Sequence, residues 1–184
     1  RDFDIRDTAP HDLFGDPDWA DTLIHLYSFS KAYRLTGHRV GAMLTSAARL
    51  DQVEKYIDTV TICPNQIAQR AALWGMRNMS DWLAGERAEI LTRRKAIRQG
   101  FEKLPGWRLL GLGGFFAYVE FPYDLPSDEF ARLLVAKAGI LLLPATFFKP
   151  DDDPSAQNEL RIAFANIDLD GIRDLFDRLE NLSL

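Results

Sequence analysis

Within fourteen residues, Ser28-Phe29-Ser30-Lys31 and Thr36-Gly37-His38-Arg39-Val40-Gly41 bring together a primary amine, two serine hydroxyls and a guanidinium around a turn between two apolar runs. An amine beside anion-binding groups suits a phosphorylated aldehyde held covalently. The lysine forms a Schiff base with the carbonyl, while hydroxyls and guanidinium hold the phosphate. An ordinary lysine is protonated at neutral pH, and desolvation or a neighbouring cation frees its amine to attack. Arg39 can grip phosphate through two parallel charge-assisted hydrogen bonds, a geometry lysine cannot reproduce. Taken singly, Lys31 reads as a solvated surface lysine, Ser28 as a turn-capping hydroxyl and Arg39 as a salt-bridged surface arginine. Their shared register with Gly37 and Ser30 is what sets them apart.

A second candidate is Arg161. In the alternating run Leu160–Ala165, Leu160, Ile162 and Phe164 take one face, leaving Arg161 opposite with small Ala163 and Ala165 beside it. Strand arginines commonly face solvent; here the position follows an acidic loop and precedes the last helix. The other reactive side chains read as structural. His11, His25 and His38 have no metal-ligand spacing with one another or with Cys63. His25 reads as a core histidine, and Phe147-Phe148 as apolar core that could also line an entrance. Asp151-Asp152-Asp153 reads as solvated loop. Gly111-x-Gly113-Gly114 leads into a strand rather than a helix, so it lacks the geometry of a phosphate-binding loop.

These residues need elements to hold them. Residues 1–22, with Pro10 and Gly15-Asp16-Pro17, read as a long loop. Leu23–Tyr27 reads as a buried strand feeding the serine–lysine turn, and Val40–Leu44 as a second strand, so hydroxyls and lysine sit at a strand's C-terminal end. A short helix is expected over Asp51–Tyr56. A longer one opens at Pro64-Asn65 and runs through Met79. A third, capped near Ser80-Asp81, carries Leu83, Ile90, Ile97, Phe101 and Leu104 on one stripe until Pro105-Gly106. Beyond it come a strand over Phe115–Phe121, a helix capped by Ser127 and stopped at Gly139, a short strand over Ile140–Leu143, the Arg161 strand, and a helix bearing Ile172, Leu175, Phe176, Leu179 and Leu182.

Composition bounds the answer. At 184 residues and 47% hydrophobic, the chain has apolar content enough for a buried core. A net charge of −5 with scattered basic residues gives no electrostatic footprint for nucleic acid or membrane. No apolar run reaches the roughly 18–20 residues of a membrane span. The single Cys63 excludes an intrachain disulfide and fits a reducing compartment, so a cytoplasmic location is expected.

The Ser28-x-Ser30-Lys31 segment with Gly37-x-Arg39 closely resembles the cofactor-lysine signature of class I and II aminotransferases, within the fold-type I family of pyridoxal-phosphate (PLP) enzymes. The resemblance runs from the loop before the lysine to the final helix. It implies an α/β fold of the PLP-dependent transferase (fold-type I) architecture, in part. Residues 1–80 would be the C-terminal part of the PLP-binding large domain, and residues 81–184 the long connecting helix and a small α+β C-terminal domain. It implies pyridoxal 5'-phosphate as cofactor, Lys31 as anchor and proton shuttle, and Ser28 and Arg39 as phosphate ligands. Arg161, in an Arg-hydrophobic-x-hydrophobic-Ala strand, would fork onto the substrate α-carboxylate. The activity implied is amino-group transfer between an amino acid and a 2-oxo acid in a homodimer, with no metal, nucleic-acid or membrane partner. The same scaffold also serves PLP-dependent carbon–sulfur lyases and the non-enzymatic effector domains of some transcription regulators. The acidic segment that the family places upstream of its lysine would fall before Arg1, so this chain is expected to be the C-terminal portion of a longer polypeptide, inactive by itself.

Overall fold

Side-chain caps and glycines set many of the element ends in the computed structural model, which describes residues 2–150 and 152–182; Arg1 and Asp151, part of two loops anticipated from the sequence, lie outside the described residues. The chain divides into two compact units, Arg1–Arg87 and Ala88–Leu184.

In the first unit the long opening segment holds only a single turn of helix, α1 (Trp19–Thr22), and a 3₁₀ turn at Leu13–Gly15. Strand β1 (His25–Ser28), the one-turn helix α2 (Phe29–Ala32) and strand β2 (Gly41–Leu44) follow. β1 and β2 pair antiparallel, from His25 opposite Leu44 to Ser28 opposite Gly41. A side chain on Gly41 would put its Cβ 2.9 Å from the Tyr27 carbonyl oxygen, so this rung needs glycine. The strand is not the buried one expected over Leu23–Tyr27. It begins at His25 and alternates in burial, and Leu26 on its outer face is 69% exposed. A two-stranded ribbon covers neither of its faces by itself, which is why apolar residues alone misjudge its burial.

Helix α3 (Ala47–Val60) is longer than the expected Asp51–Tyr56. Ser46 Oγ accepts the Arg49 amide at 3.4 Å, so the cap lies five residues before Asp51, and the strong helix formers Ala47 and Ala48 fill the first turn. Asn65 caps α4 (Gln66–Asn78) by accepting the Ala68 amide at 3.0 Å. Helix α5 (Ser80–Lys103) then runs on into the second unit.

The second unit is built on an antiparallel sheet in the order β3-β4-β6-β5. Its strands are β3 (Arg108–Gly113), β4 (Phe116–Glu120), β5 (Leu143–Pro144) and β6 (Glu159–Ala163). Between them lies α6 (Ser127–Ala138), and α7 (Leu169–Glu180) follows β6. Ala117 and Val119 of β4, Leu160 and Ile162 of β6, and Phe164 just beyond it are fully buried with Phe130, Leu134, Ile97, Ile172 and Leu179. On α5, Gly100 meets the Phe176 ring of α7 so closely that a Cβ would overlap it.

Three expectations need correction here. β3 is hidden in the sequence by Gly111 and Gly113 and irregular in register between Leu109 and Gly111. Of Ile140–Leu143 only Leu143, with Pro144, pairs into the sheet, while Ile140 and Leu142 are buried as irregular chain. Ser127 is the first residue of α6 rather than its cap. Its buried hydroxyl instead donates to the Ala156 carbonyl at 2.7 Å, tying the 154–158 turn to the helix.

Candidate functional site

At the tip of the hairpin the chain turns directly from strand to helix. Beyond the Ser28–Gly41 rung the Phe29 amide donates to the Val40 carbonyl at 3.3 Å. Ser28 caps α2, its Oγ accepting the Ser30 amide at 3.3 Å. Phe29, Ser30 and Ala32 are buried, so the one-turn helix is anchored on those sides and directs Lys31 outward. Among the described residues Lys31 has no hydrogen-bond or ion-pair partner.

The loop back to β2 is fastened at both ends. Tyr33 packs on α4 at Gly75, where a Cβ would lie 2.8 Å from the ring. The Arg34 guanidinium binds the Glu86 carboxylate at 2.6 Å and lies 5.6 Å from the centre of the Trp82 ring. Arg34 and Arg39 both take left-handed backbone conformations, with φ of 53° and 50°. For a side-chain-bearing residue that costs about 1–2 kcal/mol, a strain often stored where function fixes the geometry. Arg39 Nη1 donates to the Thr36 carbonyl at 2.8 Å and lies 3.5 Å from Ser30 Oγ. Its Nε and Nη2 have no hydrogen-bond partner among the described residues. Three of the predicted site residues, Ser28, Lys31 and Arg39, thus share one hairpin tip. An amine, an exposed hydroxyl and an arginine with two unused donor nitrogens are the donor set a phosphorylated aldehyde requires, and PLP fits it.

Arg161 belongs to the second unit. It lies on β6 opposite Tyr118 of β4 and Leu143 of β5, on the sheet face away from the core. Its guanidinium makes two cation–π contacts, with the carbon at its centre 4.4 Å from the Phe116 centroid and 4.0 Å from that of Phe148. Cation–π contacts use the π-faces of the rings and leave the in-plane N–H edge of a guanidinium to a carboxylate. Nε is buried without a hydrogen-bond partner. Phe147 and Phe148 are not apolar core, since both are exposed. Phe148 is spent on the arginine face.

Beside this arginine is a polar cluster that the sequence did not announce. Glu159, two residues before Arg161 on the same strand face, is buried, and its Oε2 lies 2.5 Å from Lys149 Nζ. The same ammonium donates to Ser155 Oγ at 2.5 Å, sits 3.9 Å from Asp153 and lies 5.7 Å from the Tyr118 ring centre. Hydrogen bonds from the Ser155 side chain and amide hold the Asp153 carboxyl below its ordinary range. Burial, with the Glu159 charge adding to it, pushes the Tyr118 phenol up to about 12. The legible signal was the two-residue spacing of Glu159 and Arg161. Lys149 could not be found, because it reaches the pair across a loop.

Two of the three histidines join an aromatic cluster. The half-buried His25 ring stands 5.4 Å from Phe14 and 6.1 Å from His11, a ring cluster rather than a catalytic pairing. His38 is exposed in the turn beside Arg39.

Residues 7–179 match the family model described as aminotransferase class I and II. Among curated relatives, an aspartate aminotransferase of Sulfurisphaera tokodaii is 23% identical over 97% of this chain and 45% of its own length. An LL-diaminopimelate aminotransferase of Maridesulfovibrio salexigens is likewise 23% identical, over 96% and 44%. Among solved structures, the aromatic aminotransferase of Pyrococcus horikoshii aligns with a TM-score of 0.84 and 20% identity, covering 97% of this chain and 48% of that one. The Escherichia coli protein YbdL, identified with a methionine aminotransferase function, aligns with a TM-score of 0.82 and 21% identity over 94% and 45%. The chain therefore spans just under half the length of these proteins.

Proposed function

The chain belongs to the class I and II aminotransferase family, of fold-type I architecture, and from that premise we propose that it supplies the cofactor lysine and the carboxylate-binding arginine of a PLP-dependent aminotransferase. The full-length enzyme would move an amino group between an amino acid and a 2-oxo acid, as a cytoplasmic homodimer. The observation that carries the proposal is the convergence of Ser28, Lys31 and Arg39 on one hairpin tip.

Each residue has a role its chemistry suits. Ser28 Oγ and the unused edge of the Arg39 guanidinium bind the phosphate, the arginine through paired charge-assisted bonds. The strained backbone at Arg39 fixes where those bonds point. Lys31 Nζ would hold the cofactor at its aldehyde carbon, and the same amine would take a proton from the substrate Cα and return it. Bound PLP supplies the electron sink for that proton removal. Arg161, held by its contacts with Phe116 and Phe148, offers its guanidinium to the substrate α-carboxylate. Exposed Ile67 and Trp74, two helix turns apart on α4, support a surface that a second subunit covers. Relatives named for aspartate, LL-diaminopimelate and glutamine as amino substrates share the family.

The test is the absorbance spectrum of the full-length protein with added PLP, beside that of Lys31→Ala. A visible band of covalently held cofactor, lost in the variant, is the expected result. A band that survives in Lys31→Ala would remove Lys31 from the role.

A further inference from the structure

Arg161 has a carboxylate for a neighbour and does not pair with it. Glu159 and Arg161 are i and i+2 on the same face of β6, about 7 Å apart along the strand, a span two long side chains readily close. Glu159 is buried, and a buried carboxylate near a guanidinium is strongly drawn to it. Yet among the described residues Arg161 makes no ion pair. The acid is held instead by Lys149 at 2.5 Å.

We infer that Lys149 is a positioning residue for carboxylate recognition: it sequesters Glu159 and so keeps the edge of the Arg161 guanidinium open to a substrate carboxylate. The inference rests on the assignment of Arg161 as the carboxylate clamp. Three observations support it. Lys149 is anchored by more than Glu159, since Ser155 and Asp153 also bind its ammonium and the Tyr118 ring lies beneath it. The lysine follows Phe148 directly, and both backbone amides bond the Ala145 carbonyl, at 2.8 and 3.1 Å. One short turn thereby places the ring over the arginine and the ammonium over the competing acid. Finally, Arg161 Nε is buried and unpartnered, a donor left for an acceptor that the protein itself withholds.

The test uses the full-length protein with PLP bound. Crystal structures of wild type and Lys149→Met are compared, and the KM and kcat of whichever amino acid is turned over are measured in both. In Lys149→Met, Glu159 is expected within 4 Å of the Arg161 guanidinium, with KM raised about tenfold or more and kcat changed far less. Lys149→Met/Glu159→Gln, which removes the competitor as well, is expected to recover the wild-type KM to within about threefold. Glu159→Gln alone is expected to lower stability and leave KM near wild type; the discriminating result is the KM rise in Lys149→Met and its recovery in the double variant, neither of which a merely structural ion pair would predict. A KM in Lys149→Met equal to wild type, or a loss that the double variant fails to recover, overturns the inference. Arg161→Met separates the two levels. If it leaves KM unchanged, the clamp assignment has failed and the inference with it; if it raises KM while Lys149→Met does not, the inference alone has failed. Should Lys149→Met not fold, the double variant and Glu159→Gln decide: raised KM in either overturns it.

Discussion

Arg39 reaches back across its own loop to Ser30, with Nη1 3.5 Å from the serine hydroxyl and 2.8 Å from the Thr36 carbonyl. A residue in the left-handed region thus ties the return strand to the helix that carries Lys31.

Replacing Arg39 with glycine is expected to separate stability from binding. Relief of the positive φ should return about 1–2 kcal/mol, against roughly 0.5–1.5 kcal/mol for the lost hydrogen bonding. Urea unfolding should therefore shift little, while PLP affinity, read by cofactor absorbance on titration, falls at least about tenfold. Arg39→Lys should retain part of the affinity, because the charge stays and the paired bonds go.

Gly100→Ala should destabilise the second unit by about 1–3 kcal/mol. The new methyl group would overlap the Phe176 ring, which also stands 4.9 Å from Phe101 and has little room to retreat. Chemical denaturation followed by tryptophan fluorescence, with Trp107 buried near Phe101, reads the effect.

Ser127→Ala removes the buried bond to the Ala156 carbonyl and leaves that acceptor without its donor. A loss of about 1–3 kcal/mol is expected. Hydrogen exchange should rise at Ala156, whose amide bonds Asp153 in the turn that the serine ties down.

Alkaline pH should weaken the fold through Tyr118. Its phenol titrates at about 12 in the folded protein against an ordinary value of 10, so the folded state holds its proton more tightly than the unfolded chain does. The resulting stabilisation is complete below pH 10 and drains away as pH rises from 10 through 12. Denaturation midpoints at pH 8 and pH 11 should diverge less in Tyr118→Phe than in wild type.

What the sequence made legible was local. The serine–lysine turn, the helix start at Asn65 and the stripe of Ile90, Ile97 and Phe101 all depend on neighbours a few residues away, and such patterns survive in a single chain. β3 escaped because its glycines erase the strand's alternation. Phe148 was read as core because apolar character does not reveal that an arginine, not a hydrophobic layer, lies beneath it. Lys149 escaped for the same reason: its partner Glu159 is ten residues on, and only the folded loop joins them. Hairpin burial was misjudged because it depends on what packs above the sheet, which the strand's own residues do not state.

That hairpin sets the order in which the site can be built. Two strands with Leu26, Met43 and Leu44 open to solvent bury too little to hold themselves in register. The second unit, by contrast, closes a core around Phe130, Leu160 and Ile162. On refolding, the sheet that carries Arg161 should therefore become ordered before the hairpin that carries Lys31, an order that pulsed hydrogen exchange reads. Until then the Lys31 amine sits on a ribbon without fixed register, and in the proposed enzyme cofactor capture would report that the hairpin has formed.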